Sequence, residues 1–91
     1  MNATGGEGFT VQMRTAPPQL LAFGRTVRKA RRDRDLSQEA LADEAGLSAK
    51  HVGEIERANK DPRLTTVLKL ADALELRSAE LFQQLDERLE R

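Results

Sequence analysis

The chain has 91 residues, of which 38% are hydrophobic and 33% charged, the composition of one small globular domain with a modest core. Without cysteine it has no disulfide, thiolate nucleophile or cysteine zinc site, and its single histidine, His51, leaves little scope for metal binding or catalysis. The 15 basic and 15 acidic residues give a net charge of zero, which by itself argues against nucleic-acid binding, because the usual footprint of that function is a strongly basic domain. The charges are nevertheless polarised, because bases dominate between Arg25 and Arg34 and acids from Asp72 onward.

The first residues have neither the basic start nor the apolar stretch of a secretory signal. No apolar run in the chain is long enough to span a bilayer. A cytoplasmic location is therefore expected, with no membrane partner.

Residues 1–18 are predicted to form a flexible arm. Three glycines, at 5, 6 and 8, disfavour regular structure there, and the pair Pro17-Pro18 closes the segment. The apolar side chains of Phe9, Val11 and Met13 alternate along it. A short strand or a docking contact therefore stays open as an alternative for this segment.

Five helices are predicted after the arm. The first runs from about Gln19 to Arg34, and its apolar stripe at helical spacing consists of Leu20, Phe23, Val27 and Ala30. Ser37 is expected to cap the second helix, which ends at Gly46, a residue suited to the left-handed conformation. Ser48 is expected to cap the third helix.

The third helix carries Val52 and Ile55 inward and ends near Arg57, before a turn over residues 59–62. The fourth helix is predicted to bury one apolar face, made of Leu64, Val67, Leu68, Ala71 and Leu74. Ser78 is expected to cap a last helix, with Leu81, Phe82, Leu85 and Leu89 along one side. Helices alone account for this pattern, so the predicted fold is all-α.

The segment from Leu36 to Arg57 reads as helix, glycine turn, helix. Ala42 and Ala45 are small where two helices must approach closely, and Gly46 permits the sharp turn. Such a pair leaves one face of its second helix free to enter a DNA major groove.

This segment resembles the phage repressor and Cro class of helix-turn-helix proteins, the XRE family. The resemblance runs from about residue 23 to residue 82 and rests on Ser37-Gln38, Leu41-Ala42, Ala45-Gly46-Leu47-Ser48, Ile55-Glu56-Arg57, Asp61-Pro62, Leu68-Lys69-Leu70-Ala71 and Ala73-Leu74. It extends to the short controller proteins of restriction–modification systems, which also end in one helix after the DNA-binding fold. The resemblance implies a five-helix regulator of transcription, with residues 19–77 as the DNA-binding domain and residues 78–91 as a dimerisation helix.

The resemblance also implies which residues read bases. The positions that match the family's reading positions are Ala49, Lys50 and Glu54, with His51 nearby. Lysine can donate to guanine O6 or N7, glutamate can accept from cytosine N4, and alanine can pack on a thymine methyl. Alternatively, Lys50 and Glu54 are only a solvated pair one helical turn apart.

Contacts with DNA phosphates or the minor groove are implied for a second set of positions: Ser37, Gln38, Ser48, Arg57, Lys60 and Arg63. Ser37 is favoured as a cap over a phosphate ligand, and Arg63 matches a position from which some phage repressors reach the minor groove. Arg31 and Glu56 match a salt bridge that joins the first helix to the end of the third.

Two residues depart from the family pattern. Ala58 stands where glycine usually follows the Glu-Arg pair, which predicts a strained turn. Gly53 lies within the reading helix, where it costs about 1 kcal/mol relative to alanine. One hypothesis is that this glycine permits close approach of the helix backbone to DNA.

A homodimer on an inverted-repeat operator is expected, because one reading helix covers only a few base pairs. Leu81, Phe82, Leu85 and Leu89 are the predicted dimer contacts, together with the end of the fourth helix. Alternatively, Leu81 and Phe82 cap the core, and Leu85 and Leu89 belong to a fraying helix end. The alternative is an antitoxin that binds a toxin and represses its own operon. No grouping of nucleophile, base and orienting residue suggests an enzyme, and no cofactor or metal is expected.

Overall fold

The computed structural model describes residues 16–90, which form five helices and no strand. The helices are α1 Pro18–Asp33, α2 Gln38–Ala45, α3 Ala49–Glu56, α4 Leu64–Ala73 and α5 Ser78–Leu89. This confirms the all-α, five-helix prediction. Residues 1–15, most of the predicted arm, lie outside the described part of the chain. Pro18 belongs to α1 instead, because proline is well suited to the first position of a helix.

Side chains from all five helices meet in one hydrophobic core. In it, α1 lies against α3 and α5, while α2 lies against α3 and α4. The largest side chains with almost no exposed surface are Val27, Leu41, Val52, Ile55, Leu70 and Leu81. Helix α3 is thus held from both sides by α1 and α2. Within residues 16–90 no helix has the length and apolar character needed to cross a membrane.

The predicted apolar face of α4 is wrong in two positions. Leu64 is 65% exposed and Leu68 is 44% exposed, whereas Leu70 is fully buried. The core side of α4 centres on residues 67, 70, 71 and 74, and residues 64 and 68 lie about a quarter-turn away from it. Sequence periodicity marks an apolar stripe but does not show how much of it a neighbouring helix covers.

Two serines cap the helix pair as predicted. The Ser37 hydroxyl accepts a hydrogen bond from the Ala40 backbone N–H at 3.0 Å, and the Ser48 hydroxyl accepts one from His51 N–H at 3.0 Å. The prediction for Ser78 is wrong, because Ser78 is the first residue of α5 and Arg77 precedes the helix. There the Glu80 carboxylate accepts from the Arg77 backbone N–H at 2.7 Å and does the capping.

The ends of four helices share one closing motif with a residue in the left-handed conformation. Gly46 ends α2 with φ 71°, but the equivalent positions after α1, α3 and α4 hold Asp35, Ala58 and Glu75, with φ between 57° and 63°. After α3, the Asn59 N–H donates to the Glu54 carbonyl at 2.8 Å, which completes a Schellman motif. The strained turn predicted at Ala58 is therefore present.

Replacing Ala58 with glycine should stabilise the protein. The left-handed conformation destabilises an L-residue by about 1–2 kcal/mol, and glycine avoids this strain. Part of the gain is lost because glycine is more flexible in the unfolded chain. We expect a gain of about 1 kcal/mol in the free energy of unfolding, measured by urea denaturation. Ala79→Gly, within α5, should change stability in the opposite direction, since glycine disfavours a right-handed helix. A loss of stability in Ala58→Gly would contradict the strain argument.

Candidate nucleic-acid interface

The helix pair α2–α3 is joined by a turn of three residues, 46–48. Leu41, Ala42 and Ala45 of α2 pack in the core with Val52 and Ile55 of α3. The left-handed Gly46 reverses the chain, and the two serine caps satisfy backbone donors at the start of each helix. This arrangement fixes the direction of α3 and leaves its outer side to solvent.

The outer side of α3 carries a stripe of three side chains, Lys50, Glu54 and Arg57, spaced four and three residues apart. It lies opposite Val52, which is fully buried. Lys50 and Arg57 are exposed and Glu54 is half-buried. Within residues 16–90 none of the three belongs to an ion pair. We call these residues the α3 stripe.

Ala49 and His51 lie at the margins of the α3 stripe. Ala49 is half-buried and packs against the core. The half-buried His51 lines an open groove with Glu54 and the loop that leads to α4. The groove's remaining lining residues are Lys60, Asp61, Pro62, Arg63 and Thr66. Among residues 16–90 no group of three side chains is arranged to hold a metal ion, and His51 joins none.

A buried ion pair anchors the C-terminal end of α3 to α1. The Arg31 guanidinium donates to both Glu56 carboxylate oxygens, from Nε at 2.7 Å and from Nη2 at 3.0 Å. Its Nη1 donates to the Leu36 carbonyl at 2.8 Å. The predicted Arg31–Glu56 pair is therefore present, with side chains only 11% and 3% exposed.

The hydrogen bond to Glu56 raises the pKa of Arg31, against the opposing effect of burial. Because the pKa of this base is higher in the folded than in the unfolded chain, the charged Arg31 stabilises the fold at every pH below the ordinary pKa of arginine. The Arg31 side of the pair is therefore charged under all ordinary conditions.

Close packing of α1 on α3 depends on Gly24. A Cβ atom at that position would come within 2.5 Å of the Glu56 carbonyl oxygen and 2.7 Å of the Ile55 carbonyl oxygen. Sequence reasoning did not identify Gly24. A glycine inside an otherwise regular helical pattern was the available signal, since it commonly marks a close backbone contact.

Arg34 is a second residue that sequence reasoning did not single out. Its guanidinium contacts Glu44 of α2 at 3.3 Å and Glu75 after α4 at 3.1 Å, and it donates to the Ala73 carbonyl. It therefore ties the end of α1 to both the helix pair and the end of α4. These partners lie 10 to 41 residues away in sequence, so no local pattern announces them.

The side chain of Gln38, predicted to contact a phosphate, is held within the protein. Its Nε2 donates to Glu56 Oε1 at 3.0 Å, at the start of α2. Its Oε1 lies 3.5 Å from the position that a Cβ on Gly53 would take, and Arg57 Nη1 lies 2.9 Å from that position. The space above Gly53 is therefore filled by the protein's own side chains.

The other residues expected near phosphates are exposed at the edges of the same surface. They are Ser37, Ser48, Lys60 and Arg63. Both serine hydroxyls accept capping hydrogen bonds, as described above. Arg63 immediately precedes α4 and lies beside Lys60 along the groove that His51 also lines. Positive side chains thus border the groove next to the α3 stripe.

The family model described as Helix-turn-helix matches residues 27–81. Two relatives are named as uncharacterized HTH-type transcriptional regulators. The regulator y4dJ of Sinorhizobium fredii is 31% identical over 64 residues, covering 70% of this chain and 83% of the relative. The regulator YazB of Bacillus subtilis is 36% identical over 59 residues, covering 65% of this chain and 86% of the relative.

Solved structures of similar fold include restriction-modification controller proteins. The controller protein C.AhdI from Aeromonas hydrophila is 41% identical, with a TM-score of 0.70 over 72% of this chain and 100% of its own. The wild-type controller protein C.Esp1396I has a TM-score of 0.77 at 20% identity, covering 80% of this chain and 94% of its own. The second likeness is one of fold alone.

Proposed function

Because this chain belongs to the helix-turn-helix family of DNA-binding transcriptional regulators, we propose that it binds a specific DNA operator as a homodimer, with α3 in the major groove. The family consists of DNA-binding regulators and not of enzymes, in agreement with the sequence analysis. The site of action is the cytoplasm, where operator DNA is accessible. The fold and the exposed side of α3 support the DNA-binding part of this proposal.

The observation that carries the proposal is the α3 stripe. Lys50, Glu54 and Arg57 lie on the side of the helix opposite its buried residues, and none is neutralised by an ion pair within residues 16–90. Free ammonium and carboxylate groups at this spacing match donors and acceptors on base edges. Lys50 would donate to guanine and Glu54 would accept from cytosine, while Ala49 would offer a methyl contact to thymine.

Phosphate contacts would flank this stripe. The free backbone N–H groups at the start of α2 suit an anion, since the positive end of the helix dipole points outward there. On the other side of the DNA major groove, charge-assisted contacts with phosphates would come from Arg57, Lys60 and Arg63. Such contacts hold α3 in register without selecting a sequence.

The dimer would form through apolar side chains that the monomer leaves exposed. On α4 these are Leu64 and Leu68, one helical turn apart, and on α5 they are Phe82 and Leu89, at 40% and 41% exposure. Leu85 is half-buried against the core beside them. Leu81, predicted as a dimer contact, is 0% exposed and belongs to the monomer's own core. The proposed dimer contact on α4 therefore lies on the first half of this helix and not at its end.

Selection of binding sites from a randomised DNA duplex pool tests the function directly. We expect an inverted repeat with half-sites about one helical turn apart. Enrichment of no sequence, with only salt-sensitive background binding, would contradict the proposal. Capture of the chain with a small toxin would then be sought, as the antitoxin alternative requires.

Lys50→Ala tests base reading at a single position. We expect operator affinity to fall by about 1–3 kcal/mol and discrimination to relax at one base pair of each half-site. Lys69→Ala, which removes an exposed lysine from α4, is the matched control and should leave the selected sequence unchanged. If Lys50→Ala weakens binding to all sequences equally, Lys50 contacts a phosphate and reads no base.

A further inference from the structure

Gly53 lies in the middle of α3, where its backbone flexibility disfavours the helix. It is nevertheless buried, although it lies about 100° from Val52 around the helix and toward the α3 stripe. The groups that cover it are the Arg57 guanidinium and the Gln38 amide. Gly53 thus forms the base of a shallow depression on the surface of α3, which the side chains of Gln38 and Arg57 line. We call this depression the seat.

The walls of this seat are held in place by buried contacts. Glu56 accepts from the Gln38 amide at 3.0 Å and is itself held by two hydrogen bonds from Arg31. The Gln38 oxygen is consequently turned toward the seat. Arg57, at the C-terminal end of α3, folds back by one turn so that Nη1 lies over Gly53.

We propose that Gly53 is a positioning residue, whose missing side chain seats the Arg57 guanidinium against the middle of α3 to meet a DNA phosphate. The inference rests on the proposed function, because it specifies how one residue of the same surface is aimed. Within residues 16–90 Arg57 belongs to no ion pair, so its charge is available to an anionic partner. A guanidinium held close to the helix axis loses little side-chain freedom when it binds a phosphate.

The variant Gly53→Ala separates this role from a structural one. An alanine Cβ would lie 2.9 Å from Arg57 Nη1, so the flexible end of the arginine must move while the backbone of α3 stays in place. We expect the melting temperature to rise, because alanine favours the helix. Operator affinity should fall on the order of fivefold, and the dependence of log K on log salt should weaken by about 1.8, the contribution of one phosphate contact from each protomer of the dimer. A residue that served folding alone would lose stability and affinity together.

A double-mutant cycle identifies Arg57 as the group through which Gly53 acts. In the background Arg57→Gln, the further change Gly53→Ala should leave operator affinity unaltered. Equal losses in both backgrounds would overturn the proposal and favour direct approach of the α3 backbone to DNA. Unchanged or tighter binding by Gly53→Ala alone would overturn it as well.

A second measurement does not depend on DNA binding. Relaxation of the Arg57 side-chain ¹⁵Nε in the free protein should show a restrained guanidinium, which becomes mobile in Gly53→Ala. Equal mobility in the two proteins would show that no seat exists. If the chain selects no operator but Gly53 still restrains Arg57, the proposed function is contradicted, whereas the positioning of Arg57 by Gly53 is supported.

Discussion

The variant Glu56→Ala should lose about 3 kcal/mol or more of its free energy of unfolding, the usual cost of removing one partner of a buried ion pair. The reason is that the Arg31 guanidinium would remain, at 11% exposure, without the carboxylate that compensates its charge. The Gln38 amide would lose its acceptor at the same time. For a domain of this size the melting temperature should fall on the order of 15 °C. Calorimetry or thermal circular dichroism measures this fall.

An exposed ion pair elsewhere on α1 provides the matched control. Lys29 and Asp33 are 2.7 Å apart, but their side chains are 62% and 61% exposed. Asp33→Ala should therefore change the free energy of unfolding by no more than about 0.5 kcal/mol. Similar small losses in Glu56→Ala and Asp33→Ala would show that burial of the Arg31–Glu56 pair contributes nothing.

A paired replacement separates charge from packing. The double variant Arg31→Met with Glu56→Met should recover most of the stability lost in Glu56→Ala, since neither charge then remains buried. Operator binding should stay weaker than in the unmodified chain, because the end of α3 is no longer held by directed hydrogen bonds. Recovery of both properties would show that α3 needs only filled space at this contact.

The variant Phe82→Glu should dissociate the proposed dimer. Two copies of this carboxylate would face one another across a two-fold axis, in a contact otherwise made of leucines. We expect sedimentation equilibrium to give the mass of one chain, and operator affinity to fall on the order of 100-fold, because two linked half-site contacts become two independent ones. The monomer itself should stay folded, since the Phe82 side chain is 40% exposed.

Leu21→Glu is a comparison of equal exposure on α1, beside one edge of the proposed dimer contact. Leu21 is 39% exposed and lines a groove with Leu89, between α1 and the end of α5. Since Leu89 is the one proposed contact that lines this groove, Leu21→Glu should weaken the dimer less than Phe82→Glu does. Dissociation by Leu21→Glu and not by Phe82→Glu would move the interface to the α1–α5 groove and refute the one proposed here.

Local sequence patterns determined where the helices lie and how several of them start. Ser37 and Ser48 precede α2 and α3 at the positions where their hydroxyls accept capping hydrogen bonds, and Gly46 takes the left-handed conformation after α2. These features depend on residues within four positions of one another, so the local sequence is enough to predict them. The helix-turn-helix could be predicted for the same reason.

The extent of burial on each helix was decided by the tertiary structure. Leu64 and Leu81 are both leucines on apolar stripes, yet one is 65% exposed and the other 0%. The difference arises because α5 packs against α1 and α4 with Leu81 inward, while no helix within residues 16–90 covers Leu64. A stripe of apolar residues specifies a direction around its own helix, but the width of the covered face depends on how neighbouring helices cross it.

The network around Glu56 shows the same division. The ion pair with Arg31 was implied by resemblance to a family. The further contacts with Gln38 and over Gly53 were not, because they connect α1, α2 and α3 across up to 25 residues of sequence. By itself, the sequence determined the five helices and the serine caps of α2 and α3, because each follows from neighbours along the chain. The residues of the α3 stripe were implied by the family resemblance. Only the tertiary structure decided which leucines are exposed and how Arg57 is held, because both depend on side chains brought together from distant helices.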